Sequence, residues 1–202
     1  MAKSQDNTTI IPLHRPNLRE KIFFFTSGVI TSVPLTLFVG TFTDSLCVAL
    51  PIFYATLCST AIFAPFIEEF AKAYPLFYRH GETEKSIFTL GFLVGLGFGF
   101  SEFLLYVTVL EAPILVRLPG IFFHAASTSI TAYGIATKRS VLFYLIAVIL
   151  HFSNNFSALF GLYSSNSFFA QLSARIGIVA ALAITLFLSS QLYYKTSERI
   201  AD

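Results

Sequence analysis

Long apolar runs dominate this sequence, and each of them is long enough to cross a lipid bilayer. A transmembrane helix needs about 20 predominantly apolar residues. We predict six such helices, at about 22–43, 46–77, 86–110, 114–137, 140–162 and 168–194. Only 12 % of the residues are charged, which is about half the share found in a soluble domain. The sequence therefore predicts an all-α fold, a polytopic transmembrane helix bundle of about six spans.

Proline interrupts the second of these spans. Pro51, Pro65 and Pro75 fall within it, and proline removes a backbone hydrogen-bond donor from a helix. The run is also too long for one straight crossing. We therefore expect a kinked or broken helix here.

Basic residues recur at every second boundary between the spans. They precede the first span, return in the loop at 79–86 and at Lys138 and Arg139, and follow the sixth span. Because lysine and arginine collect in cytoplasmic loops, both termini are predicted to be cytoplasmic. The predicted divisions are a cytoplasmic N-terminal segment at 1–20, a transmembrane helical domain at 21–195 and a cytoplasmic tail at 196–202.

Charge and cysteine content limit the partners and the cross-links that we expect. The basic residues behind the net charge of +2 lie between the apolar runs and form no patch, so we expect a lipid bilayer and no nucleic acid as partner. Cys47 and Cys58 are too few for a disulfide framework, and we interpret them as small apolar packing residues. The sequence contains no signature of an oligomeric state.

Ionisable side chains inside the spans are the main functional signal, because a charged group in the bilayer is costly and usually marks a site or a path. They are Glu68, Glu69 and Lys72 on the second span, Glu102 on the third, His124 on the fourth and His151 on the fifth, where Asn154 and Asn155 follow. At about 1.5 Å per residue, four spans hold such groups at a similar distance from the cytoplasmic bases. We expect them in the cytoplasmic half of the membrane or near its midplane.

Helical spacing places several of these groups on shared faces. His124 and Thr128 belong to a polar stripe with i, i+3, i+4, i+7 spacing on the fourth span. His151 and Asn155 are one turn apart on the fifth span. On the third span, glycines at positions 91, 95 and 99 form a small-xxx-small series that allows close helix packing. We therefore expect Glu102 to face the interior of the bundle.

Each of these groups, taken alone, has a structural explanation. A single histidine can bond to a neighbouring helix, Glu68 and Lys72 can neutralise each other one turn apart, and the hydroxyl stripe can join two helices. Packing does not require three glutamates, two histidines and two asparagines at one depth. The combination therefore favours a functional site.

Four short motifs follow one another along the predicted spans. They are EExxK at 68–72, FxxxE at 98–102, HxxxT at 124–128 and HxxxN at 151–155. This ordered set, which covers about residues 60 to 160, resembles the PrsW family of intramembrane proteases, relatives of the CAAX prenyl endopeptidases and of bacteriocin-processing enzymes. CAAX prenyl endopeptidases have an arginine one residue beyond the position of Lys72 and a histidine at the position of Glu102. A prenylated substrate is therefore not expected.

The resemblance implies an intramembrane endopeptidase that cuts a membrane-anchored protein substrate in the plasma (inner) membrane of a prokaryote, with 21–195 as a protease-like domain. It implies catalytic roles for Glu68, Glu69, Glu102, His124, His151 and Asn155, with Lys72, Phe98 and Thr128 in support. We assign the general base to Glu68 and stabilisation of the oxyanion to His151 and Asn155. His124 would orient the water or protonate the leaving group, and Glu102 would position His124 or bind a metal.

The residues leave open whether a metal takes part. Glu68, His124 and His151 could form a zinc site with a free position for water, but the sequence has no HExxH motif. Our expectation is a glutamate mechanism without a cofactor, and zinc is the alternative. Two other functions are compatible with the residues: a non-catalytic membrane scaffold of a protease complex, and a proton-coupled transporter. The lack of a visible internal repeat argues against a transporter.

Overall fold

The computed structural model describes residues 14–78, 83–164 and 167–198. Within these ranges the chain is helical and forms no β-strand. The prediction of an all-α fold is therefore confirmed. Much of the predicted N-terminal segment, part of the charged loop at 79–86 and the end of the predicted tail lie outside the described residues.

Six helices follow one another along the described chain. They are α1 (Leu18–Cys47), α2 (52–78), α3 (Glu84–Thr108), α4 (Ile114–Ala136), α5 (Ser140–Tyr163) and α6 (Phe168–Lys195). All except α2 are long and apolar enough to cross a membrane. α2 has a comparable length but carries three charged side chains. This architecture confirms the predicted transmembrane bundle of about six helices.

Polar caps fix where two of the helices begin. The Asn17 side chain accepts a hydrogen bond from the backbone N–H of Glu20, whose carboxylate accepts from the backbone N–H of Asn17. This reciprocal capping box satisfies two otherwise unpaired donors at the start of α1. The hydroxyl of Thr83 accepts from the Ser86 N–H in the same way at the start of α3. Both helices therefore begin a few residues before their apolar runs.

α2 is an irregular helix whose type changes along the chain, and the kink or break predicted from its prolines stays a prediction. It consists of an α-helical turn (Ile52–Thr56), a π-helical stretch (Leu57–Phe63), an α-helix (Ala64–Ala73) and a 3₁₀ turn (Tyr74–Tyr78). In a π-helix each N–H bonds the carbonyl five residues earlier, but Pro65 has no N–H to offer the Thr60 carbonyl. The side-chain amide of Asn155 on α5 donates to that carbonyl instead, at 3.0 Å. α5 thus supports this irregular part of α2.

Both ends of the described chain lie at the same end of the bundle, beside the start of α3. The Glu84 carboxylate accepts from the backbone N–H and the hydroxyl of Ser197, at 2.9 and 2.8 Å. Arg15 Nε lies 3.9 Å from a carboxylate oxygen of Glu198. We call this end of the bundle the terminal end and the opposite one the far end. That the terminal end is cytoplasmic stays a prediction.

The two cysteines form a disulfide, so their interpretation as apolar packing residues is wrong. Cys47 ends α1 and Cys58 lies in the π-helical part of α2, and their Cα atoms are 5.8 Å apart. The short connection between the two helices places these residues side by side, which two isolated positions in a sequence do not reveal. The bond fastens α1 to α2 at the far end. Disulfides persist in oxidising compartments, which agrees with the predicted cytoplasmic placement of the opposite, terminal end.

The glycine series of α3 packs directly against α4. A Cβ at Gly95 would lie 2.3 Å from the carbonyl oxygen of His124, and Cβ atoms at Gly91 and Gly99 would meet α4 atoms at 2.4 and 2.8 Å. Only glycine allows the two helices to approach this closely. The predicted close packing is confirmed, and it brings Glu102 opposite His124.

Substituting alanine at Gly95 is expected to destabilise the protein by about 1–3 kcal/mol, because the added methyl group must push α3 and α4 apart. Gly40→Ala on α1 is the matched control, since no atom beyond its chain neighbours and its own helical backbone lies within 4 Å of the position of its Cβ. Equilibrium unfolding in mixed micelles measures the stability of both variants. Equal stability of the two would contradict the packing described above.

Candidate active site

One carboxylate oxygen of Glu69 joins three helices. The side chain is completely buried, and its Oε1 accepts hydrogen bonds from Lys72 Nζ on α2 (2.6 Å), Ser127 Oγ on α4 (3.1 Å) and His151 Nδ1 on α5 (2.9 Å). Hydrogen bonds to an ionised acceptor are roughly twice as strong as those between neutral groups. Glu69 therefore holds α2, α4 and α5 in a fixed arrangement.

Lys72 is a completely buried cation within the same cluster. Its Nζ also contacts His124 Nδ1 at 3.0 Å and lies 5.0 Å from the centre of the Phe98 ring. An ammonium group donates and cannot accept, so Nδ1 of His124 is the acceptor and its Nε2 carries the proton. That N–H donates to Glu102 Oε2 at 2.6 Å, which connects α3 to the network.

Glu68 and His151 face each other beside this network. Because Nδ1–H of His151 is donated to Glu69, Nε2 of the neutral ring is an acceptor, and it lies 3.7 Å from Oε2 of Glu68. That Glu68 oxygen is buried and has no hydrogen-bond partner among the described residues. Two acceptors that face each other attract only through a proton, a water molecule or a cation placed between them. The pair is therefore arranged to hold such a group.

Glu68, His124 and His151 can converge on one metal ion. Each offers one ligand atom, and the three atoms lie within 4.8 Å of one another. Two imidazoles and a carboxylate are a common ligand set of catalytic zinc sites. Glu69 accepts from the other nitrogen of His151, which is the orienting contact that metal-binding histidines usually make. The donor set fits zinc if the His124 proton moves from Nε2 to Nδ1, which requires Lys72 to stop donating to Nδ1.

A cavity of about 480 Å³ extends from these groups toward the far end of the bundle. Glu68, Glu102 and the two histidines lie at its inner end, and its walls come mainly from the far halves of α2, α3, α4 and α5. The histidines lie near the middle of α4 and α5. Glu102 lies nearer the far end of α3, because α3 extends from the terminal end and Glu102 falls in its last turns. The site is therefore reached from the far end.

Comparison with family models assigns this chain to a protein family. Residues 17–188 match the family model described as PrsW family intramembrane metalloprotease. The chain belongs to the PrsW family. No curated protein and no solved structure matches it significantly. Membership of the PrsW family makes the chain an integral membrane protein of an intramembrane protease family, with a protein substrate in the membrane, whereas the wider grouping with CAAX prenyl endopeptidases stays a prediction.

Most of the residues that the PrsW resemblance singled out meet in one layer of the bundle. This group comprises Glu68, Glu69, Lys72, Phe98, Glu102, His124 and His151. Thr128 lies one turn further along α4, and its hydroxyl donates to the His124 carbonyl of its own helix at 2.8 Å. Asn155 lines the cavity but gives one N–H to the Thr60 carbonyl. These two residues therefore support the helices as well as the site.

The structure also adds residues that the PrsW motifs do not contain. Ser127 donates to Glu69 from the fourth helix, and its only sequence signal was its place three residues after His124 in the polar stripe. Arg117 and Tyr106 line the outer part of the cavity. Arg117 precedes His124 by two helical turns, so the sequence already placed both on one face of the helix. Arg117 belongs to none of the four motifs.

Proposed function

We propose that this PrsW-family member is an intramembrane endopeptidase that hydrolyses a peptide bond of a membrane-anchored protein, and that Glu68 activates the attacking water. The observation that carries the proposal is the position of Glu68 at the inner end of the cavity. Oε2 of Glu68 and Oε2 of Glu69 are both buried without a hydrogen-bond partner among the described residues, but only Glu68 lines the cavity. Glu69 does not line that cavity, and its Oε1 is shared by three donors. The tandem glutamates thus divide into one that acts and one that positions.

The proton transfers of hydrolysis can be supplied by Glu68. Its carboxylate takes a proton from the water whose oxygen attacks the carbonyl carbon, and it returns that proton to the leaving nitrogen as the C–N bond breaks. The glutamate is then ionised again. Both ring nitrogens of His124 are engaged, Nδ1 by Lys72 and Nε2 by Glu102. His124 can therefore orient the attacking oxygen only when its Nε2–H turns from Glu102 to that oxygen.

Asn155 is the donor that we place at the oxyanion. Its amide has two N–H bonds, one of which goes to Thr60 while the side chain lines the cavity. The second N–H is then free to donate to a negatively charged oxygen, an interaction worth about 10²- to 10³-fold in rate. His151 can join it only after its Nε2 has gained a proton.

The same site supports the proposal of a metal. Glu68, His124 and His151 would hold zinc, with Glu69 orienting His151 from behind. When bound, such an ion supplies Lewis acidity toward a carbonyl oxygen and acidifies a bound water. The two proposals give Glu68 different roles: it is the base without the ion, and it is a ligand of the ion with it.

The zinc proposal predicts one zinc ion per chain in purified protein, because a cation would stabilise the facing acceptors of Glu68 and His151. Elemental analysis of the wild type and of His151→Ala measures this directly. Glu69→Gln is expected to weaken zinc affinity by about 10- to 100-fold, as loss of an orienting carboxylate does in other zinc sites. Full cleavage by protein that contains no metal would contradict the zinc proposal. The mechanism would then be the one without a cofactor, in which Glu68 is the base.

A comparison of membrane proteomes tests the proposed function itself. Cells that produce the wild-type chain and cells that produce Glu68→Gln at the same level are compared for new protein N-termini in or near transmembrane segments. We expect termini that occur only with the wild type, and these identify the substrate. Identical sets of termini would argue for a non-catalytic scaffold.

A further inference from the structure

The cavity has two chemically different ends. Its inner end carries the carboxylates of Glu68 and Glu102, and its outer part is lined by Arg117 and Tyr106. Arg117 lies seven residues before His124 on α4, and seven residues span two helical turns and about 10 Å. Tyr106 lies one turn beyond Glu102 on α3. Arg117 and the catalytic layer therefore line the same cavity, with about 10 Å of helix axis between the backbones of Arg117 and His124.

Arg117 has no anionic partner among the described residues. Its guanidinium carbon lies 3.4 Å from the centre of the Tyr106 ring, and no described carboxylate lies within the 4.0 Å of an ion pair. The guanidinium has five N–H bonds, and those that Tyr106 does not engage remain available to a carboxylate. Arg175, which lies in the first turns of α6, is instead exposed and does not line the cavity.

We propose that Arg117, stacked on Tyr106, is a specificity subsite for an acidic side chain of the substrate, about three residues from the bond that is cut. This inference rests on the proposed peptidase function. A peptide must unwind before hydrolysis, because the backbone groups of a helix are already paired, and an extended chain covers about 3.3 Å per residue. Three residues therefore span the 10 Å between the two ends of the cavity.

The charges of the cavity give this subsite its selectivity. A carboxylate in the substrate is repelled by Glu68 and Glu102 and attracted by Arg117, whose planar guanidinium can bind it through two parallel hydrogen bonds. Binding at the outer end thus fixes the register of the peptide and places one bond beside Glu68. An amide of the same shape, such as asparagine, lacks this attraction.

An aspartate scan of short labelled peptides tests the subsite. A single aspartate or, in the matched set, a single asparagine is moved through an alanine, valine and serine background, and the cut site is located by mass spectrometry. With the full-length wild type in micelles we expect kcat/KM to be about tenfold higher for aspartate than for asparagine at the position three residues from the cut. Arg117→Gln should remove this ratio, Arg117→Glu should favour lysine there, and Arg175→Gln should keep the wild-type profile.

Peptide binding separates this inference from the proposed function. Fluorescence anisotropy with the Glu68→Gln protein measures Kd for the same aspartate and asparagine peptides without cleavage. A preference for aspartate that depends on Arg117 supports the subsite even if the wild type cuts none of the peptides, an outcome in which the peptidase proposal fails. If protein with Arg117 intact cleaves and binds the aspartate and asparagine peptides equally well, Arg117 does not form a specificity subsite. This result does not require that an Arg117 variant folds.

Discussion

Replacing Glu68 with glutamine is expected to lower peptide hydrolysis by about 10²- to 10⁴-fold while the protein still inserts and folds. Glutamine has the same shape as glutamate but cannot take a proton from water. Oε2 of Glu68 has no hydrogen-bond partner among the described residues, so the variant loses no such contact within the bundle. Cleavage of an identified substrate in proteoliposomes, together with thermal unfolding of the same preparation, measures both parts of this expectation.

Asp44→Asn provides the matched control for this result. Asp44 is an exposed carboxylate of α1 that does not line the cavity, and its neutralisation should leave the rate of cleavage unchanged. If Glu68→Gln cleaves substrate as fast as Asp44→Asn does, Glu68 has no part in activating the water. If Glu68→Gln fails to fold, the carboxylate is structural and the comparison shows this as a lower unfolding temperature.

Replacing Lys72 with methionine is expected to lower the free energy of unfolding by about 3–5 kcal/mol. Methionine keeps most of the volume of the side chain, but it leaves the completely buried carboxylate of Glu69 without its cation. The double variant with Glu69→Gln removes both charges, and we expect it to recover most of the lost stability. Unfolding of the two single variants and the double variant gives the coupling energy of the pair.

Lys195→Met serves as the control for loss of a positive charge alone. Lys195 is exposed at the end of α6, and its replacement should change stability by no more than about 0.5 kcal/mol. A Lys72 variant as stable as this control would mean that Lys72 and Glu69 are not a charged pair in the folded protein. Stability that falls further in the double variant would point instead to the hydrogen bonds of Glu69 with Ser127 and His151.

Divided roles for two adjacent glutamates explain how a polar site can persist inside an apolar bundle. Glu69 and Lys72 neutralise each other and satisfy donors from α4 and α5. A charge buried without such a partner would be strongly destabilising. Burying charged side chains between the helices is unfavourable, and the contacts of Glu69 and Lys72 offset this cost without Glu68. Glu68 is therefore free to face the cavity.

Several features could be predicted from particular residues. The lengths of the apolar runs fix the helices to within a few residues, because the thickness of the bilayer sets how much apolar chain is needed. Glycines spaced four residues apart predicted a close helix contact of α3, since small residues are what close packing requires, and the structure shows that the partner is α4. The prolines marked the second apolar run as irregular, and α2 changes helix type along its length. The Cys47–Cys58 disulfide and the bond from Asn155 to Thr60 could not be predicted, because they join helices whose relative placement the sequence does not state.

The sequence by itself determined a transmembrane helix bundle with carboxylates, histidines and asparagine at one depth, and the order of its motifs pointed to the PrsW family. Only the tertiary structure decided which of the tandem glutamates faces the cavity. Adjacent residues of a helix point about 100° apart, so one of the two must face its neighbours while the other faces open space. The packing of α4 and α5 against α2 makes that choice, because their histidine and serine donors surround Glu69 and leave Glu68 at the end of the cavity.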